Sequence, residues 1–125
     1  MRNILFPLSA IYLALVGCAL MFVPRQFGVG AVPSDASPEL IALLRLLGGP
    51  FLGIAALNWL TRRLDGAALR PILLANLIGF GAVALNDVWG VTSGEARELA
   101  KPFLVIHLMF ALSFLFALRS AKSAT

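Results

Sequence analysis

Four long apolar runs constrain this chain more than any other feature of its sequence. They cover about residues 4–23, 39–60, 71–89 and 102–118, and the stretches between them hold most of the charged residues. About 20 apolar residues in a helix are enough to cross the hydrocarbon core of a bilayer. The chain is 60% hydrophobic and 13% charged, whereas soluble domains carry about 25% charged residues. The sequence therefore predicts an all-α integral membrane protein, folded as a single four-span helix bundle.

Local signals predict where some of these runs begin and end. Ser37 is expected to cap the second helix, with Pro38 in its first turn and Glu39 near its positive end. Gly90 is expected to stop the third helix. The polar residues 93–101 that follow are predicted to form an interfacial turn or a short helix.

The first run has two interpretations. Residues 15–18 (LVGC) fit a bacterial lipobox, in which case residues 1–17 would be a signal peptide and Cys18 would be lipidated. The apolar run continues beyond Cys18, however, and ends only at Pro24, which cannot extend a helix. We therefore expect the run to be retained as a membrane span.

The basic residues predict the orientation. Loops on the cytoplasmic side of a membrane protein carry an excess of Lys and Arg. An N-terminus on the inner side places there Arg2, Arg62, Arg63, Arg70, Arg119 and Lys122, and on the outer side Arg25, Arg97 and Lys101. The sequence thus predicts a multi-pass protein of the bacterial inner membrane with both termini cytoplasmic. These charges lie at the ends of apolar runs instead of on one exposed face, so no nucleic acid partner is expected.

Four polar residues are predicted to share one shallow layer near the outer end of the spans. At about 1.5 Å per helical residue, Arg45, Asn86, Asp87 and His107 fall at similar depths. Ionisable groups at membrane depth usually pair with one another. Arg45 and Asp87 are the expected pair, with His107 and Asn86 supplying further hydrogen bonds. The layer is then either a site for a lipid head group, a quinone carbonyl or a proton, or a structural contact, or a surface that recruits a subunit.

A second group of residues is predicted to pack the helices together. Small side chains let helices approach in a membrane, and amides hydrogen-bond across the gap. The predicted packing residues are Gly48, Gly49, Gly53, Asn58, Asn76 and Gly79. The phenylalanines at 103, 110 and 114 are expected to face lipid or the core and not a cofactor.

Several chemistries lack the residues they need. One histidine cannot build a usual metal site, and one cysteine provides neither a redox pair nor a thiolate zinc cluster. Ser113 has the wrong helical phase to act as a nucleophile with His107, and no phosphate-binding glycine loop is present. The sequence therefore predicts no catalytic residue, no metal and no cofactor.

Residues 45–49 (RLLGG), followed by Gly53 and by Asn58-Trp59, resemble a pattern found in small bacterial four-helix membrane proteins of the DoxX-like kind. The similarity covers about 20 residues and the four-span layout. It implies a compact left-handed bundle with an outer cavity of head-group size. Sterol-isomerase relatives with a similar layout use His and Glu pairs. This chain has His107 but no intramembrane glutamate, so no catalytic role is carried over.

Two functional hypotheses follow from the sequence. The first is a non-enzymatic protein that binds a lipid or quinone-like molecule or serves as an accessory subunit, as a homo-oligomer or within a larger membrane complex. The second is a small membrane enzyme or proton-coupled transporter that uses Arg45, Asp87 and His107.

Overall fold

A computed structural model of the chain describes residues 2–122, and within them only helices and turns occur. The elements are α1 (Arg2–Phe22), α2 (Pro24–Phe27), α3 (Pro38–Thr61), a 3₁₀ turn (Gly66–Ala68), α4 (Leu69–Ser93) and α5 (Ala100–Lys122). The predicted all-α class is confirmed.

Four of these helices are long and apolar enough to cross a membrane. The qualifying segments are Asn3–Phe22, Pro38–Thr61, Leu69–Ser93 and Ala100–Ala121, of 20, 24, 25 and 22 residues. Large apolar side chains also stay exposed along them, including Ile4, Leu46 and Leu85 at 65%, 72% and 73%. A soluble protein rarely exposes apolar surface so extensively, whereas a lipid-facing helix does. The helices thus indicate a multi-pass membrane protein.

Helix α3 begins where the sequence predicts. The Ser37 hydroxyl accepts a hydrogen bond from the Leu40 backbone N–H at 3.3 Å, and Pro38 begins the helix. The predicted N-cap is confirmed. In the loop before this cap, the Arg25 guanidinium donates hydrogen bonds to the carbonyl oxygens of Ser34 and Ala36, at 2.7 and 3.0 Å.

The predicted end of the third helix is wrong. Gly90 does not stop α4, which continues to Ser93 and is closed by Gly94 in the left-handed conformation at φ 78°. A left-handed closing residue favours glycine because it has no Cβ to clash. The carbonyl oxygen of Gly90 instead accepts a hydrogen bond from the backbone N–H of Ala96, with nitrogen and oxygen 2.9 Å apart. The loop after α4 therefore folds back onto Gly90.

By internal contacts the chain divides into two compact units. One is Phe6–Arg62, and the other joins Met1–Leu5 to Arg63–Thr125. We call them the α1–α3 unit and the α4–α5 unit.

In the α1–α3 unit the two long helices run antiparallel, with their contact at Gly17 and Gly48. A Cβ at Gly48 would lie 2.6 Å from the Gly17 carbonyl oxygen and 2.4 Å from Met21 Cγ. Buried positions on α3 recur every seven residues at Ile41, Gly48 and Ala55. A seven-residue spacing keeps one face of a helix against its neighbour, and the glycines allow the backbones to come close.

The α4–α5 unit is also an antiparallel pair, and its contact includes the stacked rings of Phe80, Phe110 and Phe114. Leu73, Phe80 and Ala84 are buried on α4, and Phe114 and Ala117 are buried on α5. Their spacing of three, four and seven residues places them on one face of each helix.

Candidate functional site

The α4–α5 unit brings two of the predicted site residues into direct contact. Nδ1 of His107 on α5 lies 2.5 Å from Oδ2 of Asp87 on α4. Asp87 is seven residues beyond Phe80, and His107 is seven residues before Phe114, so both polar groups lie on the faces that the two helices bury against each other. Together with an ionised carboxylate, the imidazole Nδ1–H donates this hydrogen bond.

The pair is enclosed on one side by aromatic rings. The Phe103 ring is stacked on His107 with centroids 6.3 Å apart, and Phe80 lies 6.4 Å away in a tilted arrangement. Phe80 in turn stacks on Phe110 and Phe114 at 4.6 and 5.7 Å. Two members of the predicted phenylalanine stripe, Phe110 and Phe114, thus belong to the contact between α4 and α5, and Phe103 stacks on His107 of its own helix. These rings form an apolar surface beside the polar pair. Electrostatic interactions are stronger in such surroundings than in water.

The pair nevertheless keeps contact with its surroundings. The side chains of His107 and Asp87 are 13% and 15% exposed. A carboxylate fixes the tautomer and the orientation of the imidazole it contacts. An oriented imidazole at the edge of an apolar surface can hydrogen-bond a polar head group or take part in proton transfer.

The other two residues of the predicted layer lie elsewhere. Asn86 is next to Asp87 in the chain but is exposed, because successive residues of a helix point about 100° apart. Arg45 is an exposed residue of α3 and belongs to the α1–α3 unit. Its pairing with Asp87 stays a prediction, and the contact observed for Asp87 is the one with His107.

A second polar contact holds the α1–α3 unit together. Asn58 Nδ2 donates to Ser9 Oγ at 3.0 Å, and Ser9 donates to the Phe6 carbonyl oxygen at 3.0 Å. Both Asn58 and Ser9 are fully buried. Ser9 was not among the residues that the sequence singled out, because a lone serine in an apolar run has no distinguishing signal. Asn76, on α4, is also buried and donates to the Ile72 carbonyl oxygen of its own helix at 3.0 Å.

The predicted packing glycines divide into two groups. Gly48 lies at the close approach to Gly17, which the sequence did not identify as a packing residue. Gly49, Gly53 and Gly79 have open space where a Cβ would point. Their part in helix packing therefore stays a prediction.

No group of three or more His, Cys, Asp or Glu side chains suited to a metal ion occurs among the described residues 2–122. The arrangement of Asp87 and His107 provides a hydrogen-bonded acid–base pair and nothing that resembles a metal centre.

Fold and site together define a small multi-pass helical membrane protein with a polar pair between two of its helices. The chain matches no protein-family model, no curated protein and no solved structure.

Proposed function

We propose that this protein is a four-span bacterial inner-membrane protein of the DoxX-like kind that binds a lipid or quinone-like molecule and is not an enzyme. The observation that carries the proposal is the 2.5 Å contact between Asp87 and His107, which lies on an aromatic surface and is partly exposed. Polar and ionisable groups are expensive within a membrane span and usually have a function there.

The chemistry of the pair suggests the part of the ligand that it contacts. With Nδ1 bound to Asp87, Nε2 of a protonated imidazole donates to an oxygen atom such as a quinone carbonyl or a lipid ester, and Nε2 of a neutral imidazole accepts from a lipid hydroxyl. The rings of Phe80 and Phe103 beside His107 provide an apolar surface for the rest of such a molecule. The proposed ligand therefore combines an oxygen-bearing head with an apolar body.

Native mass spectrometry of the protein in nanodiscs formed from bacterial membrane tests this proposal. The wild type is expected to retain a small molecule of defined mass. Asp87→Asn and His107→Ala should retain it about tenfold less, because a charge-assisted hydrogen bond contributes about 1.5–3 kcal/mol. Val105→Ala is the matched control on α5, since Val105 is 56% exposed. Equal retention by all four proteins would rule out this site.

The proposed orientation has both termini cytoplasmic, supported by the distribution of basic residues at the span ends. Single cysteines introduced into a Cys18→Ser background test it in intact cells. Asp35→Cys should react with a membrane-impermeant maleimide, and Asp65→Cys should react only after the membrane is opened. The reverse pattern would contradict the proposed orientation.

A second candidate is a proton-coupled transporter or small membrane enzyme that uses Asp87 and His107; the participation of Arg45 stays a prediction from the sequence. The specific observation in its favour is the same hydrogen-bonded acid–base pair, since chains of Asp, Glu and His side chains carry protons in pumps and transporters. Proteoliposomes loaded with a pH-sensitive dye distinguish the two. Transport predicts proton movement that His107→Ala abolishes, and ligand binding alone predicts none.

We also propose that the protein fulfils its binding role as an accessory subunit or homo-oligomer. Mass photometry of the gently solubilised wild type tests this. A particle much heavier than one 13.3 kDa chain and its detergent supports assembly, and a single-chain particle opposes it.

A further inference from the structure

The end of α3 carries a cation that turns back toward its own helix. Arg62 follows the last residue of α3, and its Cζ lies 4.4 Å from the centre of the Trp59 ring. Arg62 Nη1 also donates a hydrogen bond to the Trp59 carbonyl oxygen. Trp59 is three residues earlier in the chain, which is about 4.5 Å along a helix axis. The guanidinium therefore lies at the depth of the indole, on the membrane side of its own backbone.

Two arrangements are open to a basic side chain at the end of a span. It can extend toward water, or it can turn back and hydrogen-bond the last carbonyl oxygens of the helix, as Arg62 does. Tryptophan is enriched in the interfacial layer, at the level of the lipid head groups. By stacking on Trp59, Arg62 is held in that layer with the indole face and a backbone carbonyl as its observed partners.

Charge and apolar surface lie side by side at this end of α3. Trp59 and Leu60 are 46% and 75% exposed, and the exposed Arg63 directly follows Arg62. The acidic residues of the α1–α3 unit, Asp35 and Glu39, lie at or before the opposite end of α3. Along the chain the nearest acidic residue is Asp65, three residues beyond Arg62, and the observed partners of Arg62 are the ring and the carbonyl oxygen of Trp59.

We propose that Trp59, Leu60 and Arg62 form a binding site for an anionic phospholipid. The guanidinium fork of Arg62 binds the phosphate, to which its geometry is suited. Trp59 and Leu60 contact the glycerol backbone and the upper part of an acyl chain. A phospholipid fits both halves of this surface because it joins a phosphate to apolar chains, whereas a free phosphate would use only the cationic half. This site shares no residue with the Asp87–His107 pair.

The test is lipid retention in nanodiscs that contain equal amounts of phosphatidylglycerol and phosphatidylcholine, measured by native mass spectrometry. The wild type should retain phosphatidylglycerol in preference to phosphatidylcholine. Arg62→Gln should reduce that preference about tenfold, the loss expected for one charge-assisted contact. The matched control is Arg119→Gln, which removes the same charge near the end of α5. Equal losses in both variants, or no preference in the wild type, would overturn the site.

Arg62 also closes the end of α3, so Arg62→Gln could act by loosening the helix. Trp59→Leu separates these effects because it keeps every charge but removes the ring that holds the guanidinium. It should lower the preference at least threefold, and an unchanged preference would contradict the proposal. A thermal shift supplies the second readout: phosphatidylglycerol should raise the melting temperature of the wild type, and glycerol phosphate at the same concentration should not. An equal rise with glycerol phosphate would overturn the assignment to a phospholipid.

Discussion

The two antiparallel helix pairs differ in the kind of residue that lies at their contact. In the α1–α3 unit, glycines at 17 and 48 bring the backbones close, and the Ser9–Asn58 hydrogen bond is fully buried. In the α4–α5 unit, phenylalanine rings lie in the contact. The side chains of Asp87 and His107, which share a hydrogen bond, are 15% and 13% exposed.

The difference separates a structural polar contact from a candidate site. A hydrogen bond that is fully buried cannot exchange its partner with a ligand, so it can only fix the register and distance of the helices. A polar pair at the edge of an apolar surface retains access to its surroundings. Polarity within a span is therefore not by itself evidence of function, and accessibility is what distinguishes the two pairs.

The largest expected effect is at the close approach of α1 and α3. Gly48→Ala places a Cβ 2.6 Å from the Gly17 carbonyl oxygen, which is backbone and cannot move aside without shifting a helix. We expect the free energy of unfolding, measured by SDS titration of the purified protein, to fall by about 3 kcal/mol, as for strong overpacking.

Gly49→Ala is the matched control, because outside its chain neighbours and the backbone of its own helix no atom lies within 4 Å of the added Cβ. It should be neutral or stabilise the helix by about 0.5 kcal/mol through the better helix propensity of alanine. Equal effects at positions 48 and 49 would show that the two helices do not meet at Gly48.

The next largest effect concerns the buried hydrogen bond of the same unit. Asn58→Ala leaves a cavity and removes the donor to Ser9, so the free energy of unfolding should fall by about 2 kcal/mol. A double-mutant cycle with Ser9→Ala should return a coupling near 0.6 kcal/mol, the average for such contacts in membranes. Additive losses would mean that the two side chains do not interact.

These features differ in how far the sequence could predict them. The helices and the Ser37 cap depend on local signals, namely apolar length and the residues of one turn, and both were predicted. The end of α4 was misplaced because Gly90 looks like a helix stop, yet the left-handed closing position is taken by Gly94. Because Gly90 and Gly94 are so close together, the fold of the following loop determines which of them ends the helix.

Contacts between helices were predicted less well. Asp87 and His107 were placed in one layer because depth follows from counting residues along a span. Their direct contact depends on α4 packing against α5, which counting does not reveal. Ser9 and Gly17 were not singled out at all, because a small residue becomes significant only when a partner helix lies against it.

A smaller effect is expected in the aromatic contact of the α4–α5 unit. Phe80 is 5% exposed and stacks on Phe110 and Phe114. Phe80→Leu keeps the apolar character but loses these ring contacts, so the free energy of unfolding should fall by about 1 kcal/mol. Phe116→Leu, at a position that is 54% exposed, should change it little. A larger loss at Phe116 would mean that this face of α5 is covered by another protein.

The smallest effect is expected at the candidate site itself, and it decides between the two kinds of polar contact. If Asp87 and His107 were structural in the way of Ser9 and Asn58, Asp87→Ala would cost as much as Asn58→Ala in the same SDS titration. We expect a loss of only about 0.5 kcal/mol, because the partly exposed imidazole can be hydrogen-bonded by a lipid head group or by water after the carboxylate is removed. A loss of about 2 kcal/mol would show that the pair holds α4 and α5 together, and the comparison between the units would then lose its functional meaning. A small loss combined with reduced ligand retention fits only a site whose purpose is to contact something outside the chain.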